Sequence, residues 1–265
     1  MKNKLLYKLR SGKNPKFIYY SVNALRLIIP KGIFRLRLQG KLSSLSRRKD
    51  KEYIEHRVDY YNKLSGTVQL PSSAPHLSEH KMSKQKVYFF DTYQYTEKKN
   101  MVIFRGKVKG KPSRKLFMEM YFHHPMCDLG DVSKNTTDPA EWRTEKKTIN
   151  EHLDYKFIMA LEGIDVASNL KWVMSSNSIA VMPRPTCETW FMEGTLIPNY
   201  HYIEIKPDFS DLEERLNYYI EHVDESLEII RHAHEYVSQF KDKRRENLIS
   251  LLVLDKYFKM TGQKS

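Results

Sequence analysis

The chain has 265 residues, 40% of them hydrophobic, with 45 Lys and Arg against 32 Asp and Glu and a net charge of +13. That is enough apolar material for one compact domain with appendages. Its two cysteines, Cys127 and Cys187, stand far apart without a partner motif, which excludes a disulfide scaffold or zinc module and fits a reducing compartment.

The charge is uneven. Residues 1–51 hold fifteen Lys and Arg against one acid, Asp50, and the rest of the chain is nearly balanced. In KNKLLYKLR and FIYYSVNALRLIIPKGIFRLRLQGK the basic residues alternate with aromatic and aliphatic ones. No apolar run there approaches the ~20 residues of a spanning helix, and no small-residue cleavage site follows. The pattern suits an anionic membrane surface, where each Lys or Arg contributes about 1 kcal/mol. Arg26, Arg35 and Arg37 would meet the lipid charge while Leu27, Ile28, Ile29 and Phe34 insert shallowly. An ordinary amphipathic face packed on its own domain is the other reading. Nucleic acid as a partner is not expected, because no RNP-type, zinc-finger or basic-zipper motif is present.

Lys51 to Leu64 reads as a helix ending at Ser65-Gly66, and LPSSAPHLSEH as a turn-rich linker. KVYFFDTYQY is β-prone, and MVIFRG reads as a buried strand closed by Gly106. A Gly/Lys/Pro loop, GKVKGKPSR, and an amphipathic helix, KLFMEMYFHH, follow. The alternation then continues: strand YKFIMALEG, loop IDVAS, helix NLKWVMSS, strand SIAVMP, a short helix around ETWFMEG, strand HYIEI and helix DLEERLNYYIEH. Asp211 to Lys259 reads as successive helices. Alternating strands and helices predict a parallel α/β sheet, with ligands beyond the carboxyl ends of its strands.

Three constellations fall at such ends. The first loop carries Arg105, Lys107, Lys109, Lys111 and Arg114 beside Gly106 and Gly110, residues suited to a phosphate although the P-loop spacing is absent. In EGIDVASNLKWV, Ser168 is the expected N-cap of a helix, with Asp165 ahead and Lys171 one turn in, an arrangement suited to a diphosphate. In ETWFMEG, Glu188 is placed to accept ribose hydroxyls beside Trp190. The histidines are scattered; His232 and His234 stand at i, i+2 and cannot share a metal, so neither metal nor cofactor is expected.

The stretch HLDYKFIMALEGIDVASNLKWVMSSNSIAVMP, the following ETWFMEGTLIPNYHYIEIKPDFSDLEERLNYYIEH, and the upstream FRGKVKGKPSRKLFMEMY and CDLGDV resemble glycosyltransferase family 90, in particular its bacterial lipopolysaccharide core glycosyltransferases. The resemblance covers about residues 87 to 240. It implies an α/β fold of GT-B type without an essential metal, with a Rossmann-like C-terminal donor domain and here a reduced N-terminal domain. The implied organisation is a basic segment over 1–51, an acceptor-domain remnant over 52–100, a donor domain over 101–240 and a C-terminal helix over 241–265.

The implied activity is inverting transfer of a hexose from a nucleotide diphosphate sugar to the lipopolysaccharide core, by a peripheral protein at the cytoplasmic face of the inner membrane. Arg105-Gly106 and Arg114 would flank the donor diphosphate, Ala167, Ser168 and Asn169 would line the donor loop, and Glu188 would precede the donor-side aromatic. His201-Tyr202 open the next family strand. Upstream, the family carries several dozen residues with its catalytic Asp between the strands that match FFDTYQY and KKNMVIFRG; here Tyr95 runs directly into Thr96. Asp91 is then the nearest carboxylate to serve as base. The alternative is an inactive, internally shortened member that binds nucleotide sugar or acts as a membrane scaffold.

Overall fold

Every strand pair in the sheet is parallel, as expected where each strand is followed by a return segment. The computed structural model describes residues 39–67, 91–134 and 137–260. The basic residues and apolar insertions assigned to lipid contact, the 70–80 linker and residues 87–90 lie outside them. In chain order the elements are α1 (Lys51–Thr67), β1 (Lys99–Gly106), α2 (Pro112–Tyr121), β2 (Cys127–Asp131), α3 (Ile149–His152) and β3 (Tyr155–Met159). They continue with α4 (Leu170–Val173), β4 (Ile179–Met182), β5 (Ile203–Glu204), α5 (Leu212–Glu221), α6 (Val223–Ser238) and α7 (Lys243–Met260).

Two compact units are distinguished among these residues. In one, α1 packs on α7 through Ile54, Val58, Leu248 and Ile249. Its buried Arg57 forms an ion pair with Glu246 and donates to Tyr61 Oη at 2.5 Å. No helix of the described residues is long and apolar enough to cross a membrane.

The other unit, residues 91–242, holds the five-stranded sheet in the order β2-β1-β3-β4-β5. Strands β3 and β4 are buried at every position, which is why their sequences, apart from the buried Lys156, are apolar rather than alternating. One face packs Phe104, Phe157, Val181 and Ile203 against Phe117 of α2, Leu212 and Leu216 of α5 and Ile229 of α6. The other packs Ile158, Ala180 and Met182 against Leu170 and Val173 of α4, Phe191, and Ala233 and Val237 of α6. Truncating a fully buried ring such as Phe117 should cost about 3–5 kcal/mol.

Three local expectations are corrected. Asp91–Gln94 form no strand and Tyr95–Glu97 are a 3-10 turn, because the Tyr95 ring plugs the core and its hydroxyl reaches the Tyr219 carbonyl at 3.3 Å. The ETWFMEG segment is a 3-10 turn over Glu193–Thr195 behind a left-handed Met192, not a helix. CDLGD, read without structure from its sequence, is the edge strand β2.

Candidate functional site

With the order 2-1-3-4-5, the chain leaves β1 toward one side of the sheet and enters β3 on the other. The crevice between the carboxyl ends of β1 and β3 is the topological switch point, where open α/β sheets bind ligands. Two loops meet there, residues 107–111 after β1 and 160–169 after β3.

Arg114, in the first turn of α2, spans that crevice. Its Nη1 donates to the Lys107 carbonyl at 3.0 Å, its Nη2 to the Leu161 carbonyl at 2.6 Å and its Nε to the Glu162 carbonyl at 3.0 Å. The guanidinium also lies over the Phe104 ring, 5.7 Å from its centroid. Burial lowers its pKa from the usual arginine value, without approaching loss of the charge at neutral pH. Three of its five N–H donors are thus used on neutral carbonyls, and the positive charge is held in place without being neutralised. The remaining two N–H groups are available to an anion.

The interrupting glycine in LEGIDVASN has a steric reason. A Cβ on Gly163 would stand 3.2 Å from Arg114 Nη2 and 3.7 Å from Lys111 Cε, so its absence lets two cations approach the β3 loop. A Cβ on Gly106 would meet the Phe104 ring at 2.5 Å. Glu162 turns its carboxylate the other way. It accepts the N–H of Thr186 at 2.9 Å and of Cys187 at 3.0 Å, and the Thr186 hydroxyl at 2.5 Å, tying the β3 loop to the one after β4. Neither the glycine's steric role nor this tether was foreseen from the sequence; the signal available was an acid beside a glycine at a strand end.

Arg105 does not reach the crevice. Its guanidinium folds over the sheet face to an ion pair with Asp128, which also accepts the Tyr155 hydroxyl, and its side chain is 7% exposed. Burial works to raise the Asp128 carboxyl, but the hydrogen bonds from Tyr155 and Arg105 outweigh it and hold the pKa below the usual value. The expected helix cap also differs. Helix α4 has one turn, its N-cap is Asn169 and no side chain caps it. Asn169 instead donates to the Met159 carbonyl at 3.0 Å, so the polar residue expected to follow the cap anchors the loop to β3. Ser168 and Asp165 are exposed beside it, and Ala167 is buried in the core.

Lys171 is occupied too, paired at 3.1 Å with the buried Glu193 and lying over the Trp190 and Phe191 rings. Glu188 accepts the Gly194 N–H at 2.5 Å, holding the 3-10 turn. Asp91 stands at the opposite edge of the sheet. Its carboxylate accepts from Lys98, which enters β1, from the Asn177 N–H ahead of β4 and from the Tyr93 N–H, and its side chain is 1% exposed. The residues brought together at the switch point are therefore Arg114, Gly106, Gly163, Glu162 and Lys111, with the loop that runs from Asp165 through Ala167, Ser168 and Asn169. Arg105, Lys171 and Asp91 are spent on structure. Among the described residues no cluster of three His, Cys, Asp or Glu has the geometry to hold a metal ion.

Two comparisons bear on this arrangement. The family described as "Glycosyl transferase family 90" matches residues 75–262. The "O-glucosyltransferase LpsA" of Dichelobacter nodosus is 30% identical over 267 aligned positions, which cover 78% of this chain and 83% of that protein. That alignment is longer than this whole chain, so the relative carries positions that have no counterpart here.

Proposed function

The chain belongs to glycosyl transferase family 90, and on that premise we propose that it transfers a hexose from a nucleotide diphosphate sugar to a hydroxyl of a lipopolysaccharide core. The observation that carries the reading is Arg114, a carbonyl-held guanidinium with two N–H groups to spare at the switch point. It would meet the diphosphate, with Lys111 adding a second charge across Gly163. Charge grows on the departing diphosphate as the sugar leaves, and preorganised donors stabilise it without reorganising. The relative's name, an O-glucosyltransferase, favours glucose as the hexose and an oxygen nucleophile. The reading includes a two-domain GT-B arrangement, inversion at the anomeric carbon, no metal, and a peripheral position on anionic lipid at the cytoplasmic face.

Calorimetry with UDP-glucose and other nucleotide sugars, followed by product analysis on core oligosaccharide, tests it. We expect a nucleotide-sugar dissociation constant that rises at least tenfold in Arg114→Ala, and a glycosylated product. A wild-type chain that binds no nucleotide sugar would sink the reading.

One observation favours a second reading, a family member that binds donor without transferring it. Asp91, the carboxylate nearest the missing stretch, is enclosed at the far edge of the sheet. Donor binding with no product on any acceptor oligosaccharide would decide for this reading.

A further inference from the structure

Beneath the basic loop lies a carboxylate with no part in the proposal above. Asp131 ends β2 in register with Gly106 at the end of β1, and it is 1% exposed. Its Oδ1 accepts the N–H of Val108 at 3.0 Å and of Ser133 at 2.8 Å. The Ser133 hydroxyl accepts from Val108 N–H at 3.0 Å and from Lys109 N–H at 3.2 Å, and Val132 N–H donates to the Gly106 carbonyl at 3.1 Å. The end of β2 is thus the mould on which residues 106–109 are cast, and that backbone includes the Lys107 carbonyl gripped by Arg114.

The other oxygen, Oδ2, is buried and has no hydrogen-bond partner. A buried carboxylate served only by backbone amides on one oxygen is costly to keep, and a neutral amide side chain would supply the same acceptor without the charge. The charge therefore needs a reason of its own. It sits behind the loop that, on the reading above, faces the donor diphosphate, where it would oppose anion binding. That opposition is unequal across a glycosyl transfer. A nucleoside diphosphate has a terminal phosphate that ionises a second time near pH 6, so at neutral pH it carries about one more negative charge than the nucleotide sugar it came from. A fixed negative charge repels the product more than the substrate.

We propose that Asp131 is a positioning residue of the donor loop, holding its backbone through Oδ1, and that its unpaired charge limits the loop's hold on the departing nucleoside diphosphate. The inference rests on reading the switch point as the donor site. Asp131→Asn keeps the amide acceptor and removes the charge. It should tighten UDP binding about 3- to 10-fold and UDP-glucose binding less, raising the preference for product, and should make turnover more sensitive to added UDP. Asp131→Ala removes the acceptor as well and should weaken both ligands by about tenfold or more.

Calorimetry of UDP and of UDP-glucose against wild type and the two variants tests this. Tighter UDP in Asp131→Asn with weaker binding of both in Asp131→Ala supports it. If Asp131→Ala does not fold, Ser133→Ala takes its place, removing the hydroxyl that accepts the Val108 and Lys109 amides; a several-fold weakening of both ligands supports the mould and no change overturns it. A UDP to UDP-glucose affinity ratio unchanged in Asp131→Asn overturns the charge role while leaving the donor site standing. Wild-type protein that binds neither probe overturns the donor site and this inference together.

Discussion

The two edges of the sheet hold their charges in opposite ways. At the amino edge Lys98, 5% exposed, meets the Asp91 carboxylate at 2.9 Å and the Leu153 carbonyl, while Asn177 closes the remaining positions around Asp91. At the carboxyl edge Arg114 is held just as firmly, but by carbonyls alone. A cation matched by a carboxylate is finished as a piece of structure, whereas one positioned by neutral acceptors keeps its field for a ligand. The difference separates Arg114 from Arg105, Lys171 and Lys98, which are cationic residue types like it but are each paired with a carboxylate.

The largest effect should come from breaking the amino edge. Asp91→Ala strands a buried ammonium, and removing one partner of a buried pair costs about 3–5 kcal/mol. Burial already lowers the Lys98 pKa, with Asp91 opposing the shift, so loss of the carboxylate pushes the lysine further toward its neutral form. We expect a large fall in melting temperature, with nucleotide-sugar affinity unchanged at temperatures where the variant is folded. A folded Asp91→Asn protein that binds donor normally yet loses all turnover would instead restore Asp91 as the base.

The carboxyl edge should respond in the reverse sense. Arg114→Ala should cost about 2–4 kcal/mol of transition-state stabilisation, read as kcat/KM in a sugar-transfer assay. Arg114→Lys should recover little, because an ammonium cannot grip three carbonyls in a fixed fork. Arg105→Ala should lower thermal stability more than donor affinity, since it leaves Asp128 without its cation. Equal catalytic losses in the two alanine variants would erase the distinction drawn between them.

The sequence discloses these edges unequally. The strands β1, β3 and β4 are legible because they are apolar runs bounded by Gly, Ser or Pro and buried on both faces. CDLGD is not, because two Asp and a Gly break its apolar pattern, and its burial depends on Arg105, Tyr155 and backbone amides that no local window contains. In the site, a basic loop at a strand end is visible from composition. Which of its five cations converges on the crevice is not, since Arg114 is selected by carbonyls 47 and 48 positions away. Ser168 was the natural cap by residue type, yet Asn169 is turned to the Met159 carbonyl and the helix lasts one turn.

Acid should loosen the amino edge first. The His201 ring, in the loop that enters β5, accepts the Ile197 N–H on Nδ1 at 2.9 Å, a bond that protonation of that nitrogen breaks. Burial, followed by the nearby His232, lowers its pKa from 6.5 to about 4. The unfolded chain therefore binds the proton between pH 6.5 and 4 while the folded one does not, so stability falls as pH drops through that window. With partial solvent screening the loss should be about 1–2 kcal/mol. Urea denaturation at pH 7 and pH 4.5 measures it, and His201→Asn should flatten the difference; an equal drop in that variant would place the titrating group elsewhere.

The smallest effect has the most informative sign. Glu162 is a carboxylate at the switch point whose own backbone carbonyl is gripped by Arg114, and its side-chain oxygens are turned away to Thr186 and Cys187. In Glu162→Gln the carbonyl oxygen can still accept both amides while the NH2 donates to the Thr186 hydroxyl, so the tether survives with neutral bonds in place of charged ones. The stability cost should be about 0.5–1 kcal/mol. Removing a negative charge from the rim of an anion site should at the same time tighten UDP-glucose binding, by about two- to threefold at low salt, with the gain fading as the Debye length shrinks toward ~8 Å at physiological ionic strength. Glu162→Ala separates the two roles, because it removes the same charge and the tether together. If the edge acts through its field alone, both variants bind alike; if the β3 loop must also be held to the β4 loop, the alanine variant binds more weakly than the glutamine one, at any salt.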